Sequence, residues 1–192
     1  MISFLILVGH LKISYTIYSI YERMIFLNIT IRKATPSDAS SIHSLIYKLA
    51  QFERMESSFT LTVERLEEIL RNQRMEAYIA VNDTRVVGVA LYYIVFTTFK
   101  GADVLKLEDL YIEEDQRHQG IAQQLMQALA QEAELKGYDA LSWSCLTWNT
   151  PALMLYHRVN AKIVPDWLHF KLDRASLKKL AHAKTPSKRS SS

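Results

Sequence analysis

VLKLEDLYIEEDQRHQGIA, residues 104–122, is the stretch whose reading decides the fold. Its first half is rich in Val, Leu, Ile and Tyr, as a strand is; its second half, Arg117-His118-Gln119-Gly120-Ile121-Ala122, opens a helix. A strand feeding a helix N-terminus through a short turn makes a site for phosphate. The first helical turn leaves about four backbone N–H groups unpaired, and the macrodipole adds positive potential there. Gly120 lets the backbone approach an anion closely, and Arg117 supplies countercharge. Arg-x-x-Gly-x-Ala alone is weakly specific. Directly after a strand carrying Glu108 and Asp109, and 34 residues before Tyr156, it becomes far more so.

Downstream, Ile121, Leu125, Leu129 and Ala133 share one helix face, and Gly137 reads as the C-cap. Residues 141–147 alternate Leu141, Trp143 and Cys145 with Ser142 and Ser144, which predicts a strand. Thr150-Pro151 opens a short helix to about Arg158, and 161–164 with 167–172 read as a closing hairpin. Upstream, 28–32 alternates as a strand. Thr35-Pro36-Ser37-Asp38 starts a helix whose stripe is Ile42, Leu45, Ile46 and Leu49. A second helix is expected over 62–72, and strands over 78–81 and 86–96 flank the turn Asn82-Asp83-Thr84-Arg85. Interleaved helices and strands imply an α/β layered fold, a central mixed β-sheet flanked by helices, in a single domain.

Length and composition set bounds. At 192 residues the chain holds one well-buried domain, with 49% hydrophobic and 22% charged residues, an ordinary globular balance. The net charge of +3 is misplaced as a guide: five of the 23 Lys and Arg fall in 178–192, which has no Asp or Glu. That leaves 18 basic against 20 acidic residues for 1–177, a net of −2. A slightly acidic body argues against a nucleic-acid face and suits a cationic or neutral substrate. The basic, Ser-rich run 178–192 reads as a flexible tail. The single Cys rules out an internal disulfide and points to a reduced, cytoplasmic protein, with Cys145 as a core residue. The six His show no ligand spacing, so no metal is expected.

The apolar run 2–8 is too short to span a bilayer and is followed by Gly9, His10 and Lys12. Neither a leading positive charge nor a small-residue cleavage site marks a secretory signal. Residues 1–28 therefore read as an extension outside the fold, upstream of a possible true start at Met24, with 29–177 as the domain and no membrane partner.

Three blocks carry a resemblance: LEDLYIEEDQRHQGIA (107–122), WNTPALMLYHRVNAK (148–162) and IRKATPSDASSIHSLIYKLAQFERME (31–56). In order and spacing they resemble the GCN5-related N-acetyltransferases (GNAT), and within them the diamine (spermidine/spermine) acetyltransferase branch, over about four-fifths of the chain. The resemblance implies a sheet splayed between 107–112 and 141–147, with acetyl-CoA bound in the gap. Backbone groups of Leu110, Tyr111 and Ile112 would meet its pantetheine arm. Arg117, His118, Gln119, Gly120, Ile121 and Ala122 would cradle the pyrophosphate, and Asn149 would hydrogen-bond the arm or cap the helix at Thr150-Pro151. Relatives usually carry Gly at Ala122 and often at His118, and Gly where this chain has Asn160.

Acyl transfer to an amine has two proton demands: the ammonium must lose one, and the departing thiolate gains one. On the resemblance Tyr156 is the acid, contacting the cofactor as well, and Glu108, on the strand that meets the thioester, is preferred over Asp109 as the base; adjacent strand residues point to opposite faces, so one of the two would only bind substrate or pair locally. Glu108 and Asp109, with Phe52, Glu53, Ser142, Trp143 and Ser144, would bind the acceptor. The implied reaction moves acetyl from acetyl-CoA to a primary amine of a small molecule, a diamine, polyamine or lysine-like amine, by direct attack. The alternatives are a protein or peptide N-acetyltransferase and a non-catalytic acyl-CoA-binding module. Relatives form homodimers, often by exchanging C-terminal strands, and 167–172 is placed for that.

Overall fold

The computed structural model describes residues 29–165 and 168–183, so the expectations for 1–28, Trp167 and 184–192 lie outside the described residues. The described chain divides at Val159/Asn160 into two compact units.

In the first unit five strands lie in sequence order: β1 (Ile29–Lys33), β2 (Glu76–Asn82), β3 (Arg85–Thr97), β4 (Ala102–Ile112) and β5 (Ala140–Ser142). β1 to β4 pair antiparallel, while β5 joins β4 in parallel, which makes the sheet mixed. Four helices flank it: α1 (Ala39–Phe52), α2 (Val63–Arg71), α3 (Ile121–Lys136) and α4 (Thr150–Arg158).

α1, α2 and α4 start beside side chains that take up free N–H groups at the helix start, whereas α3 has no side-chain cap. Thr35 and Asp38 form a capping box around the 3-10 turn Pro36–Asp38 that leads into α1. The Thr62 hydroxyl accepts from the Arg65 N–H at 3.2 Å, and Asn149 Oδ1 from the Ala152 N–H at 3.2 Å. α3 ends at Gly137, whose φ of +70° is the left-handed conformation that stops a helix. The expected stripe of α1 is buried throughout, with Ile42, Leu45, Ile46 and Leu49 packed among Leu66, Leu70, Ile79, Val89 and Tyr111 on one face of the sheet. On the other face Ile121, Leu125, Leu129 and Ala133 of α3 pack with Val87, Tyr92, Leu105, Leu107 and Ile112. Lys33 ties β1 to both β2 and α3, its Nζ 2.8 Å from Glu76 and 2.8 Å from Glu132.

The β3–β4 ladder departs from simple alternation. Leu91 faces Asp109 and Tyr92 faces Leu107, so Glu108 is an extra residue, a β-bulge. Its effect is visible in the packing. Leu105 and Leu107 belong to the α3 side before the bulge, yet Leu110 and Ile112 belong to that side after it. Asp109 and Tyr111 are thereby turned to the α1 side.

Two sequence expectations are corrected. β5 is three residues long instead of spanning 141–147, and residues 143–146 are irregular. The alternation there is real, but past Ser142 no neighbouring strand continues the ladder. In the second unit the expected closing hairpin is absent from the described residues: neither 161–165 nor 168–173 forms a strand. Its apolar alternation is genuine, with Ile163 75% and Phe170 91% exposed, but pattern alone does not supply a partner strand. Asn160 adopts the left-handed conformation expected of it, φ +59°. A short helix, α5 (Arg174–Ala181), capped by Asp173, extends into the first residues of the stretch read as a tail.

Candidate active site

The site begins with a broken ladder. β4 pairs with β5 only at Val104, Leu105 and Lys106, then runs on to Ile112 without it. Beyond that point the two segments part. Among the described residues, the backbone groups of Leu107 to Ile112 on that edge have no strand to bond. The gap opens a cleft of about 860 Å³ lined by β4, residues 143–146, the start of α3 and one face of α4.

At the open end lies the turn read as a phosphate cradle. His118 and Gly120 both take left-handed backbone, φ +64° and +76°, and α3 follows with no side-chain cap. The first intrahelical bond into this turn is Gln124 N–H to Gly120 O, so the N–H groups of Ile121, Ala122 and Gln123 are left for a ligand. A left-handed residue other than Gly costs about 1 kcal/mol, a strain that His118 bears here. The turn is pinned from below by Glu113, buried at the end of β4. Its carboxylate takes Lys48 Nζ of α1 at 2.6 and 2.8 Å, and its N–H donates to Val87 O at 2.9 Å. Asn82 Nδ2 donates to Gln116 Oε1 at 3.0 Å.

Arg117 is held more tightly than a freely placed countercharge. Its Nε donates to Ile112 O at 3.2 Å, and its guanidinium lies 5.9 Å from the Phe52 ring and 5.5 Å from Tyr111. The Ile112 carbonyl, expected to be free, is therefore occupied by Arg117. Of the two roles the sequence left open for Asn149, the helix cap is formed, Oδ1 accepting from the Ala152 N–H, and the residue also lines the cleft. An unpaired strand edge, unpaired helix N–H groups and the Asn149 side chain together fit the arm and pyrophosphate of acetyl-CoA.

The acid–base groups converge deeper in the cleft. Asp109 is half-buried, and burial, then the carboxylates of Glu108 and Glu53, push its carboxyl up to about 7. Glu108 sits beside it, exposed. The expectation that the two point to opposite faces fails, because the bulge at Glu108 interrupts the alternation and both line the cleft. Burial likewise pushes Tyr156 up to about 12, so it keeps its proton at any physiological pH. Its ring packs against Trp143 at 5.0 Å.

Most of the sequence-predicted residues meet in this one cleft: Phe52, Glu53, Glu108, Asp109, Leu110, Tyr111, Ile112, Arg117, His118, Gly120, Ile121, Ala122, Trp143, Ser144, Asn149 and Tyr156. Gln119 and Ser142 do not line it; Ser142 is spent on pairing with Lys106. The cleft also holds residues the sequence reading passed over. Cys145, taken as a core residue, is half-buried and lines the cleft, with burial and then Glu53 pushing its thiol up. Lys106 lines it as well, a position that strand alternation from Leu105 and Leu107 could have flagged. Outside its lining, Trp148 packs its ring at a tilt against Phe52, 5.5 Å between centroids. Among the described residues no cluster of His, Cys, Asp or Glu could hold a metal ion, and no helix is long and apolar enough to cross a membrane.

A profile of the acetyltransferase (GNAT) family matches residues 42–160. A thialysine N-epsilon-acetyltransferase of Caenorhabditis elegans is 36% identical over 157 residues, 80% of this chain and 98% of the relative. An L-ornithine N5-acetyltransferase of Arabidopsis thaliana is 24% identical over 184 residues, covering 71% and 81%. Among solved structures, an aminoglycoside acetyltransferase from a soil metagenome superposes with a TM-score of 0.67 at 18% identity, over 76% of this chain and 96% of its own.

Proposed function

The chain belongs to the GNAT acetyltransferase family and is an acetyl-transfer enzyme, and we propose that its acceptor is the primary amine of a small molecule, a diamine, polyamine or lysine-like amine. Acetyl-CoA, the family's acetyl donor, supplies the thioester. The observation that carries the reading is Asp109: a half-buried carboxyl near pKa 7, within one cleft with the protonated Tyr156. A base of that strength is ionised at pH 7.5 and still basic enough to take a proton from an ammonium, directly or through one water. Asp109 thus takes the base role that the sequence reading preferred for Glu108. Glu108 and Glu53 attract and orient the cationic acceptor, and the Leu110 N–H on the free β4 edge donates to the thioester oxygen as charge develops there. Tyr156 gives its proton to the departing sulfur. The amine attacks directly, without an acyl-enzyme. Phe52, Trp143 and Ser144 wall the acceptor end.

The relatives named for thialysine and ornithine support a small acceptor. The test is thiol release from acetyl-CoA against putrescine, spermidine, spermine, lysine, thialysine and a short peptide. Turnover on one or more of the free amines is expected; turnover on the peptide alone would assign the acceptor to proteins.

We further infer a homodimer in the cytoplasm, supported by the exposed apolar alternation of Ile163, Val164, Leu168, Phe170 and Leu172. Sedimentation of the full chain at micromolar concentration is expected to give twice the monomer mass of 22.2 kDa. A monomer at that concentration would exclude the dimer.

A further inference from the structure

The closed end of the cleft carries a cation that the reaction just described leaves without work. Lys106 lies at the apex of the splay, the last β4 residue paired with β5. Leu105 and Leu107 face α3, so alternation turns Lys106 to the opposite face. Its cross-strand neighbour there is Tyr93, whose phenol is pushed up by burial and then by nearby Glu108. Lys106 thus shares a face and a cleft with the carboxylates of Glu108 and Asp109. Among the described residues it forms no ion pair.

This cation cannot serve the pyrophosphate. Lys106 to Ile112 is about 20 Å of strand, and the phosphate turn lies beyond Ile112. Nor does it help a polyamine, whose every charge it would repel. It suits an acceptor that carries an anion at one end and the reacting amine at the other.

We propose that Lys106 is an anion subsite for the carboxylate of an amino-acid acceptor, so that a lysine-like amino acid is taken over the diamine of equal length. The inference rests on the small-amine reading above and narrows it. Its spacing agrees: Asp109 and Lys106 stand about 7–10 Å apart along the bulged strand. An extended lysine side chain sets its terminal nitrogen about 7 Å from the carboxylate carbon. With the reacting amine at Asp109, the carboxylate reaches Lys106 Nζ, and the α-ammonium stays near Glu53 and Glu108.

The experiment compares kcat/KM in matched pairs that differ only by the carboxylate: lysine with cadaverine, ornithine with putrescine, thialysine with bis(2-aminoethyl) sulfide. The full-length enzyme is assayed beside Lys106→Met and Lys106→Arg. The ratio within a pair does not depend on the active fraction of a preparation, so a poorly folded variant still reports. In the wild type the amino acid is expected to lead by about 10–100-fold, the worth of one charge-assisted hydrogen bond. Lys106→Met brings the ratio close to one, and Lys106→Arg keeps most of it. A ratio that is the same in wild type and Lys106→Met, or a wild type that favours the diamines, overturns the subsite while leaving the small-amine enzyme intact. Silence on all six amines overturns the small-amine reading, and the subsite falls with it.

Discussion

Tyr156→Phe is expected to lower kcat by about 100-fold, the low end of what a general acid contributes, because a thiolate departs more readily than an alkoxide. The affinity for acetyl-CoA, read by calorimetry, changes little, since Phe keeps the ring contact with Trp143 at 5.0 Å. Burial holds the phenol up near 12, so the wild-type rate shows no loss between pH 8 and 10 from this group. A fall in affinity as large as the fall in kcat would make Tyr156 a binding group and remove it from proton transfer.

The second large effect belongs to Asp109→Asn. With its carboxyl near 7, Asp109 must be ionised to act, so wild-type kcat/KM rises tenfold per pH unit below 7 and bends there. The Asn variant loses about 100–1,000-fold at pH 7.5 and shows no bend at 7, its rate following only the free amine in solution. A bend that survives in the variant would assign it to another group, Glu108 first.

The same substitution has an opposite effect on stability. Below about pH 4 the carboxyl is protonated in both folded and unfolded chains and costs nothing. Between pH 4 and 7 the unfolded chain releases the proton while the folded one retains it, so stability falls as pH rises. Above 7 the cost is constant, about 2 kcal/mol once the full three-unit shift is discounted for solvent access. Asp109→Asn is therefore expected to raise Tm by roughly 5 °C at pH 8 and by nothing near pH 4. An equal gain at both pH values would trace the stabilisation to packing.

The comparison of sequence with structure divides along physical lines. Helices were legible because their signals are local: Thr35, Thr62, Asn149 and Gly137 end or start helices through bonds to residues three or four away. The turn from β4 into α3 was legible for the same reason. What failed was what depends on a distant partner. Among the described residues, 143–146 keep strand alternation with no strand paired to them, and 161–165 and 168–172 keep it without a hairpin. The expectation that Glu108 and Asp109 face opposite ways was undone by one unpaired residue in β4, and nothing in LKLEDLYI marks which residue a neighbouring strand will skip. Cys145, read as a core residue, lies in the irregular stretch 143–146 and lines the cleft instead.

That skipped residue bears on how this chain tolerates changes in length. β4 serves two cores, and the side each residue faces inverts at Glu108. Deleting Glu108 would remove the bulge and restore strict alternation, with Leu107, Leu110 and Ile112 still toward α3 and Asp109 and Tyr111 still toward α1. The bulge thus gives the strand one residue of slack: losing Glu108 would cost the cleft a carboxylate and leave the facing of β4 as it is.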